Sequence, residues 1–98
     1  MPLFAIICTD KPGEGLKLRQ ANRPDHLQWL EELGDVLKAA GPFLDQAGQP
    51  SGSLLIIEAA DMAEAQAIAA RDPYRQGGVF ETVEIRPWKW LIKPPADL

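Results

Sequence analysis

Residues 3–9 read LFAIICT, and this stretch decides how the chain must fold. It is short, apolar and partly β-branched, and turn residues follow it at 10–13 (DKPG), so the pattern predicts a strand followed by a turn. Both faces of this strand would be apolar, and such a strand must be covered on both sides. The two faces are Phe4, Ile6 and Cys8, and Leu3, Ala5 and Ile7.

Three further stretches are typical of strands. Residues 53–59 (SLLIIEA) are again apolar on both sides, and residues 42–46 are expected to pair with them as a hairpin with a loose loop. Residues 79–92 (VFETVEIRPWKWLI) form a long β-rich segment that Pro87 interrupts. We therefore expect a sheet whose central strands are apolar on both faces.

Two helices are predicted between these strands. Apolar residues recur at helical spacing from Leu27 to Ala40, and Asn22 to Pro24 resembles a helix start, so the first helix is expected to begin there and to stop at Gly41. The second helix opens on Asp61 and Glu64, which have the spacing of a capping box, and Pro73 ends it.

The resulting order is β-α-β-β-α-β, an α+β domain over residues 1–93 with a frayed tail at 94–98. Right-handed crossovers would put both helices on one face of an antiparallel sheet. The other face would remain uncovered although its residues are apolar. Since monomers rarely expose large apolar patches, the sequence predicts a homodimer in which a second copy covers this face.

Composition excludes several classes of protein. The 98 residues carry a net charge of −4, so no general attraction to nucleic acid or to an anionic membrane is expected. One cysteine, Cys8, excludes a disulfide framework, and its place in an apolar strand predicts an inert buried thiol. No motif for a metal or a phosphate-bearing cofactor occurs, and no basic segment precedes an apolar run at the N-terminus. The sequence thus predicts a cytoplasmic protein without metal or cofactor.

His26 is the one histidine of the chain and the first candidate for proton transfer. In the first turn of the predicted helix, unpaired N–H groups would disfavour the imidazolium, whereas Asp25 beside it would favour the charged form. The net direction of these effects stays open. An ordinary surface histidine near a helix start is the alternative.

Asp72, Arg19, Arg23 and Tyr74 are the other candidates. A carboxylate that accepts from one imidazole nitrogen leaves the second nitrogen free to act as base or acid, so Asp72 could orient His26. Arginine side chains suit carboxylate, phosphate or phenolate groups, which makes Arg19 and Arg23 candidates for binding a small anion. Each residue has an ordinary alternative: Asp72 as a turn residue before proline, and the arginines as solvated surface charges.

In several short motifs the chain resembles the YCII-related (YciI-like) family, and their order and spacing together are specific. The matching pieces are Arg19 with RPDHL at 23–27, AGP at 40–42, GS at 52–53, DPY at 72–74 and GVFE at 78–81 with Val83, Ile85 and Pro87.

This resemblance implies a ferredoxin-like fold that pairs as a dimeric α-β barrel. It also implies a His–Asp pair in a pocket, which corresponds to His26 and Asp72 here, with Arg19 and Arg23 close by. One branch of the family resembles a dehydrochlorinase of chlorinated hydroxyhydroquinones. Other dimeric α-β barrel proteins are isomerases, monooxygenases or ligand-binding modules, and the fold alone does not choose between them.

Three hypotheses follow. In the first, the protein is a small cofactor-free enzyme of lyase or isomerase type that acts on a small anionic or phenolic molecule. His26 would move the proton, Asp72 would orient it, and Arg19, Arg23 and Tyr74 would bind the substrate. In the second, the same pocket only binds or senses a metabolite. In the third, the chain is a structural dimerisation unit without a ligand.

Overall fold

The computed structural model describes residues 1–96 and 98, and within them four strands form one antiparallel sheet in the order β2-β3-β1-β4. The predicted α+β, ferredoxin-like class is confirmed. The predicted tail at 94–98 includes position 97, which lies outside the described residues. The elements are β1 (Leu3–Asp10), α1 (Gly15–Leu33), β2 (Leu37–Leu44), β3 (Pro50–Glu58), α2 (Met62–Ala70), α3 (Pro73–Gln76) and β4 (Phe80–Trp88), with a 3₁₀ turn at Gly34–Val36.

The sheet divides its side chains between two faces as the alternation in β1 predicts. Ile6 lies opposite Leu55 of β3 and Ile85 of β4, and these three side chains pack under the helices. We call this side the covered face. The opposite side, the open face, carries a separate apolar cluster of Leu3, Ala5 and Ile56, with Ile7, Leu54 and Trp90 packed against it.

The predicted bounds of the first helix are wrong at both ends. The helix begins at Gly15, and Pro24 lies inside it, although this proline has no N–H to donate to the carbonyl of Gln20. It ends at Leu33 because Gly34 adopts a positive φ of 54°. Leu37, predicted to be helical, starts β2 and lies opposite Ile57 of β3, so sheet pairing outweighs helical periodicity there.

The second helix has the predicted capping residues. Glu64 donates its backbone N–H to Oδ1 of Asp61 at 2.9 Å, and Oε1 of Glu64 accepts from the backbone N–H of Ala60 at 3.1 Å. The short helix α3 was not predicted, and Asp72 caps its start. Pro87 does not interrupt β4, because this strand lies at the edge of the sheet, where proline is tolerated.

No helix among the described residues is long and apolar enough to cross a membrane.

Candidate functional site

A pocket of about 500 Å³ opens between α1 and the strands β2 and β3, on the covered side of the sheet. Residues one helical turn apart on α1 form one wall, and residues 40–42 of β2 with Ser53 of β3 form the other. Four of the five predicted site residues line this pocket, namely Arg19, Arg23, His26 and Tyr74. The fifth, Asp72, contacts His26.

His26 and Asp72, which are far apart in the sequence, form a buried hydrogen-bonded pair. Nδ1 of His26 lies 2.8 Å from Oδ1 of Asp72, and the two residues are 8% and 3% exposed. The same oxygen accepts the backbone N–H of Tyr74 at 2.9 Å, so the cap of α3 holds the carboxylate still. His26 lies well inside α1, too far from the helix start for terminal N–H groups to act on its ring, which corrects the placement predicted from the sequence.

The second ring nitrogen of His26, Nε2, has no hydrogen-bond partner among residues 1–96 and 98. Every buried side-chain nitrogen or oxygen in this part of the chain does have one. Nε2 is therefore accessible, and because His26 lines the pocket, this is where the nitrogen is exposed.

Tyr74 fixes the plane of the imidazole ring. The rings of Tyr74 and His26 are stacked, with centroids 3.7 Å apart and planes within 8° of parallel. Trp29 of α1 is a second aromatic neighbour of His26: the ring centroids lie 6.1 Å apart and the two planes are tilted. The aromatic neighbours and Asp72 together leave the imidazole little freedom to rotate, as a positioned proton-transfer group requires.

Arg19 lies in the pocket wall, but its guanidinium is already engaged. Its Nε donates to Oδ2 of Asp10 at 2.6 Å, and its Nη2 donates to Oδ1 of Asp10 at 2.9 Å and to Oγ of Ser53 at 2.8 Å. The guanidinium carbon lies 5.0 Å from the Tyr74 ring centre and 5.8 Å from that of Phe80, within range of a cation–π interaction.

Arg23 differs from Arg19 in both exposure and pairing. It is exposed and lines the same pocket one turn further along α1. Among the described residues its guanidinium forms no ion pair. Arg23 therefore brings a positive charge to the pocket with no carboxylate of the described residues within ion-pair distance.

Asp10 and Ser53 are the site residues that sequence reasoning missed. Asp10 was read as a turn residue, and no local spacing connects it to Arg19. Gly15 indicates the position of Asp10 only once the structure is known. A Cβ at residue 15 would lie 2.6 Å from the Cβ of Asp10, so a larger residue would displace that carboxylate. Ser53 belongs to one of the matching motifs but had no assigned role.

Cys8 lies on the covered face and is not a reactive group. Burial is the main reason that its pKa rises to about 12, and the nearby carboxylate of Asp72 adds to the effect. The thiol therefore stays protonated near neutral pH, in agreement with the predicted inert cysteine. Within the part of the chain that the structure describes, no three His, Cys, Asp or Glu side chains are grouped as metal ligands.

The YCII-related domain matches residues 2–89 of the chain. The chain belongs to the YCII-related family. Protein YciI of Escherichia coli O6:H1 is 38% identical over 95 residues, which cover 89% of this chain and 96% of that protein. The family predicted from the short motifs is thereby confirmed.

Solved structures give the same result for the fold. The 5-chloro-2-hydroxyhydroquinone dehydrochlorinase TftG of Burkholderia phenoliruptrix, in complex with 2,5-dihydroxybenzoquinone, is 33% identical with a TM-score of 0.80. The match covers 89% of this YCII-related chain and 93% of that one. A dimeric ferredoxin-like protein from Jannaschia is 12% identical with a TM-score of 0.52, and the match covers 91% of this chain and 99% of that one. At this identity the likeness shows the fold alone.

Proposed function

We propose that this YCII-related protein is a small enzyme that performs general acid–base chemistry on a small anionic or phenolic molecule, in a reaction of lyase or isomerase type. The observation that supports this most is the buried His26–Asp72 hydrogen bond, which leaves Nε2 accessible in a pocket of about 500 Å³. An imidazole held through one nitrogen and open at the other is suited to take and return a proton.

The chemistry follows from this arrangement. An ionised Asp72 accepts the Nδ1–H of a neutral His26 ring, so the lone pair is on Nε2. Nε2 removes a proton from a carbon next to a carbonyl group, which a hydroxylated ring carries in its keto form, and the C–H electron pair forms a new π bond. In an elimination, a leaving group departs from the neighbouring carbon with its bonding pair as an anion. In an isomerisation, the carbonyl π pair moves to its oxygen to give a conjugated enolate, and the imidazolium returns the proton to another carbon of that enolate as the carbonyl bond re-forms. None of these steps requires a cofactor.

The substrate class follows from the pocket lining and from one relative. Arg23 would stabilise the negative charge that develops on a substrate oxygen, and the hydroxyl of Tyr74 would donate a hydrogen bond. Leu27, Leu30 and Leu55 provide apolar walls for a ring. TftG, the dehydrochlorinase of a hydroxylated chlorinated ring, supports a small hydroxylated aromatic molecule as the substrate.

The proposal is tested by turnover of 5-chloro-2-hydroxyhydroquinone and related hydroxylated rings, measured as chloride release and by the product spectrum. We expect His26→Ala and Asp72→Asn each to lower kcat by at least about 10²-fold, the usual contribution of a positioned general base. Gln28→Ala is the matched control, since Gln28 is exposed on the same helix and does not line the pocket.

Two outcomes contradict the proposal. Turnover that survives both substitutions would exclude the His–Asp mechanism. A ring compound that raises the melting temperature of the unaltered protein but is recovered unchanged would favour a binding or sensing module instead.

We also propose that the protein is a homodimer in which the open faces of two sheets pack together. Leu3, Ala5 and Ile56 form an apolar cluster there, each at most 9% exposed, and no helix in the described part of the chain covers it. Ile7, Leu54 and Trp90, which pack against this cluster, are only half-buried, and monomers rarely leave a contiguous apolar patch in contact with water.

A further inference from the structure

The two arginines of the pocket present different charges to a ligand. Arg19 and Asp10 form a bidentate ion pair with side chains only 8% and 7% exposed, so little water screens their interaction. At the distance of a ligand, the two opposite charges largely cancel. Arg23, on the other hand, lines the pocket without an ion pair among the described residues.

The His26–Asp72 pair adds no positive charge to this sum. It is neutral when the imidazole is protonated and carries one negative charge when it is not. Among residues 1–96 and 98, no aspartate or glutamate lines the pocket. The pocket therefore offers at most one uncompensated positive charge, that of Arg23.

We propose that Asp10 is a specificity-determining residue, which selects a ligand with one negative charge over a ligand with two by cancelling the charge of Arg19. The inference rests on the proposed function only in placing the ligand in this pocket. Asp10 acts through Arg19 and is a positioning residue, whereas Arg23 is the group that faces the anion.

Arg19 keeps a second use as a rigid hydrogen-bond donor. Its Nη1 has no partner among residues 1–96 and 98, and no fully buried side-chain nitrogen in this range lacks one, so Nη1 is accessible, and Arg19 lines the pocket. A neutral carbonyl or hydroxyl oxygen can accept from it without bringing a second charge. The ligand class is thus a planar monoanion that carries a further neutral oxygen.

The local sequence is suited to holding Asp10 in place. The ion pair joins the end of β1 to the first turns of α1, and Gly15 packs directly against the Asp10 side chain. Ser53 of β3 secures Nη2 from the sheet side. These contacts therefore hold the side chains of Asp10 and Arg19 in place without a ligand.

The test uses two unreactive probes of the same shape, benzenesulfonate and phenylphosphonate, at mildly alkaline pH, where they carry one and two negative charges. Binding is measured by calorimetry and by the NMR signals of His26, the only histidine in the sequence. The unaltered protein is expected to bind benzenesulfonate at least as tightly as phenylphosphonate.

In Asp10→Asn, we expect the affinity for phenylphosphonate to rise about five- to tenfold relative to that for benzenesulfonate, because Arg19 now adds its charge. The double variant Asp10→Asn with Arg19→Gln removes both charges and should return this ratio to the original value. Ser53→Ala, which removes a hydrogen bond but no charge, is the matched control and should leave the ratio unchanged.

An unchanged ratio in Asp10→Asn would overturn the inference. The inference would also be overturned if the double variant lost binding of both probes to the extent expected for Arg23→Gln. Such a loss would mean that Arg19 itself holds the anion. If Asp10→Asn does not fold, the double variant decides the question, since it leaves no unpaired buried charge. Failure of the proposed function is distinguishable: neither probe would then move the His26 signals of the unaltered protein.

Discussion

The two faces of the sheet are built from the same strands but differ in what they can do. On the covered face, polar groups such as Asp72 and Arg19 are buried among apolar side chains, and each is held by hydrogen bonds. The open face has an apolar centre with an ion pair between Lys38 and Glu58 near its edge. The comparison teaches that alternation along one strand suffices to separate a chemical site from an apolar surface.

The ion pairs of the two faces differ in how far water reaches them. Asp10 and Arg19 are excluded from water and joined by two hydrogen bonds. Lys38 and Glu58 approach to 3.2 Å with side chains 13% and 26% exposed, so water and salt weaken their attraction more. Of the two pairs, only the buried one has a member, Arg19, in the wall of the pocket beside His26.

The largest expected effect is the difference in stability lost when a side chain is truncated on each face. Ile57 is 0% exposed on the covered face, so Ile57→Ala should lower the free energy of unfolding by about 2–5 kcal/mol, because it leaves a cavity that the core cannot fill. Leu54→Ala on the half-buried open face should cost less. Chemical denaturation at equal protein concentration measures both, and equal costs would contradict the distinction between the faces.

The next effect concerns assembly. Leu54→Glu places a charge within the open-face cluster and should convert a dimer to a folded monomer, because burying an unpaired carboxylate between two sheets is unfavourable. Light scattering after size exclusion measures the mass, and circular dichroism checks the fold. Gln28→Glu, which adds the same charge at an exposed position of α1 away from the open face, is the control. A single mass for all three proteins would exclude the open face as the interface.

The smallest effect concerns the surface ion pair. The hydrogen bond from Lys38 lowers the pKa of Glu58 below its ordinary value. The stabilisation is therefore present above the ordinary glutamate pKa and is lost as the pH falls through the lowered one. Glu58→Gln should reduce the melting temperature slightly at neutral pH, and this difference should disappear in acid or in high salt. A difference that grows in acid would contradict the assigned direction.

Local patterns predicted the parts of the fold that depend on neighbouring residues. The two faces of β1 follow from alternation, and the cap of α2 follows from the spacing of Asp61 and Glu64. The first helix shows where such patterns fail. Pro24 resembled a helix start although it lies inside α1, because a single lost hydrogen bond is outweighed by the packing of a long helix on the sheet.

Residue type and order are enough to predict the class of fold, the family and the candidates His26 and Asp72. That the two side chains meet follows from the three-dimensional fold alone, because their contact requires α1 and α3 to pack together. It likewise places Asp10 against Arg19, while Arg23 has no ion-pair partner in the part of the chain that the structure describes. Charge compensation depends on distances of a few ångströms in space, and spacing along the chain does not contain them.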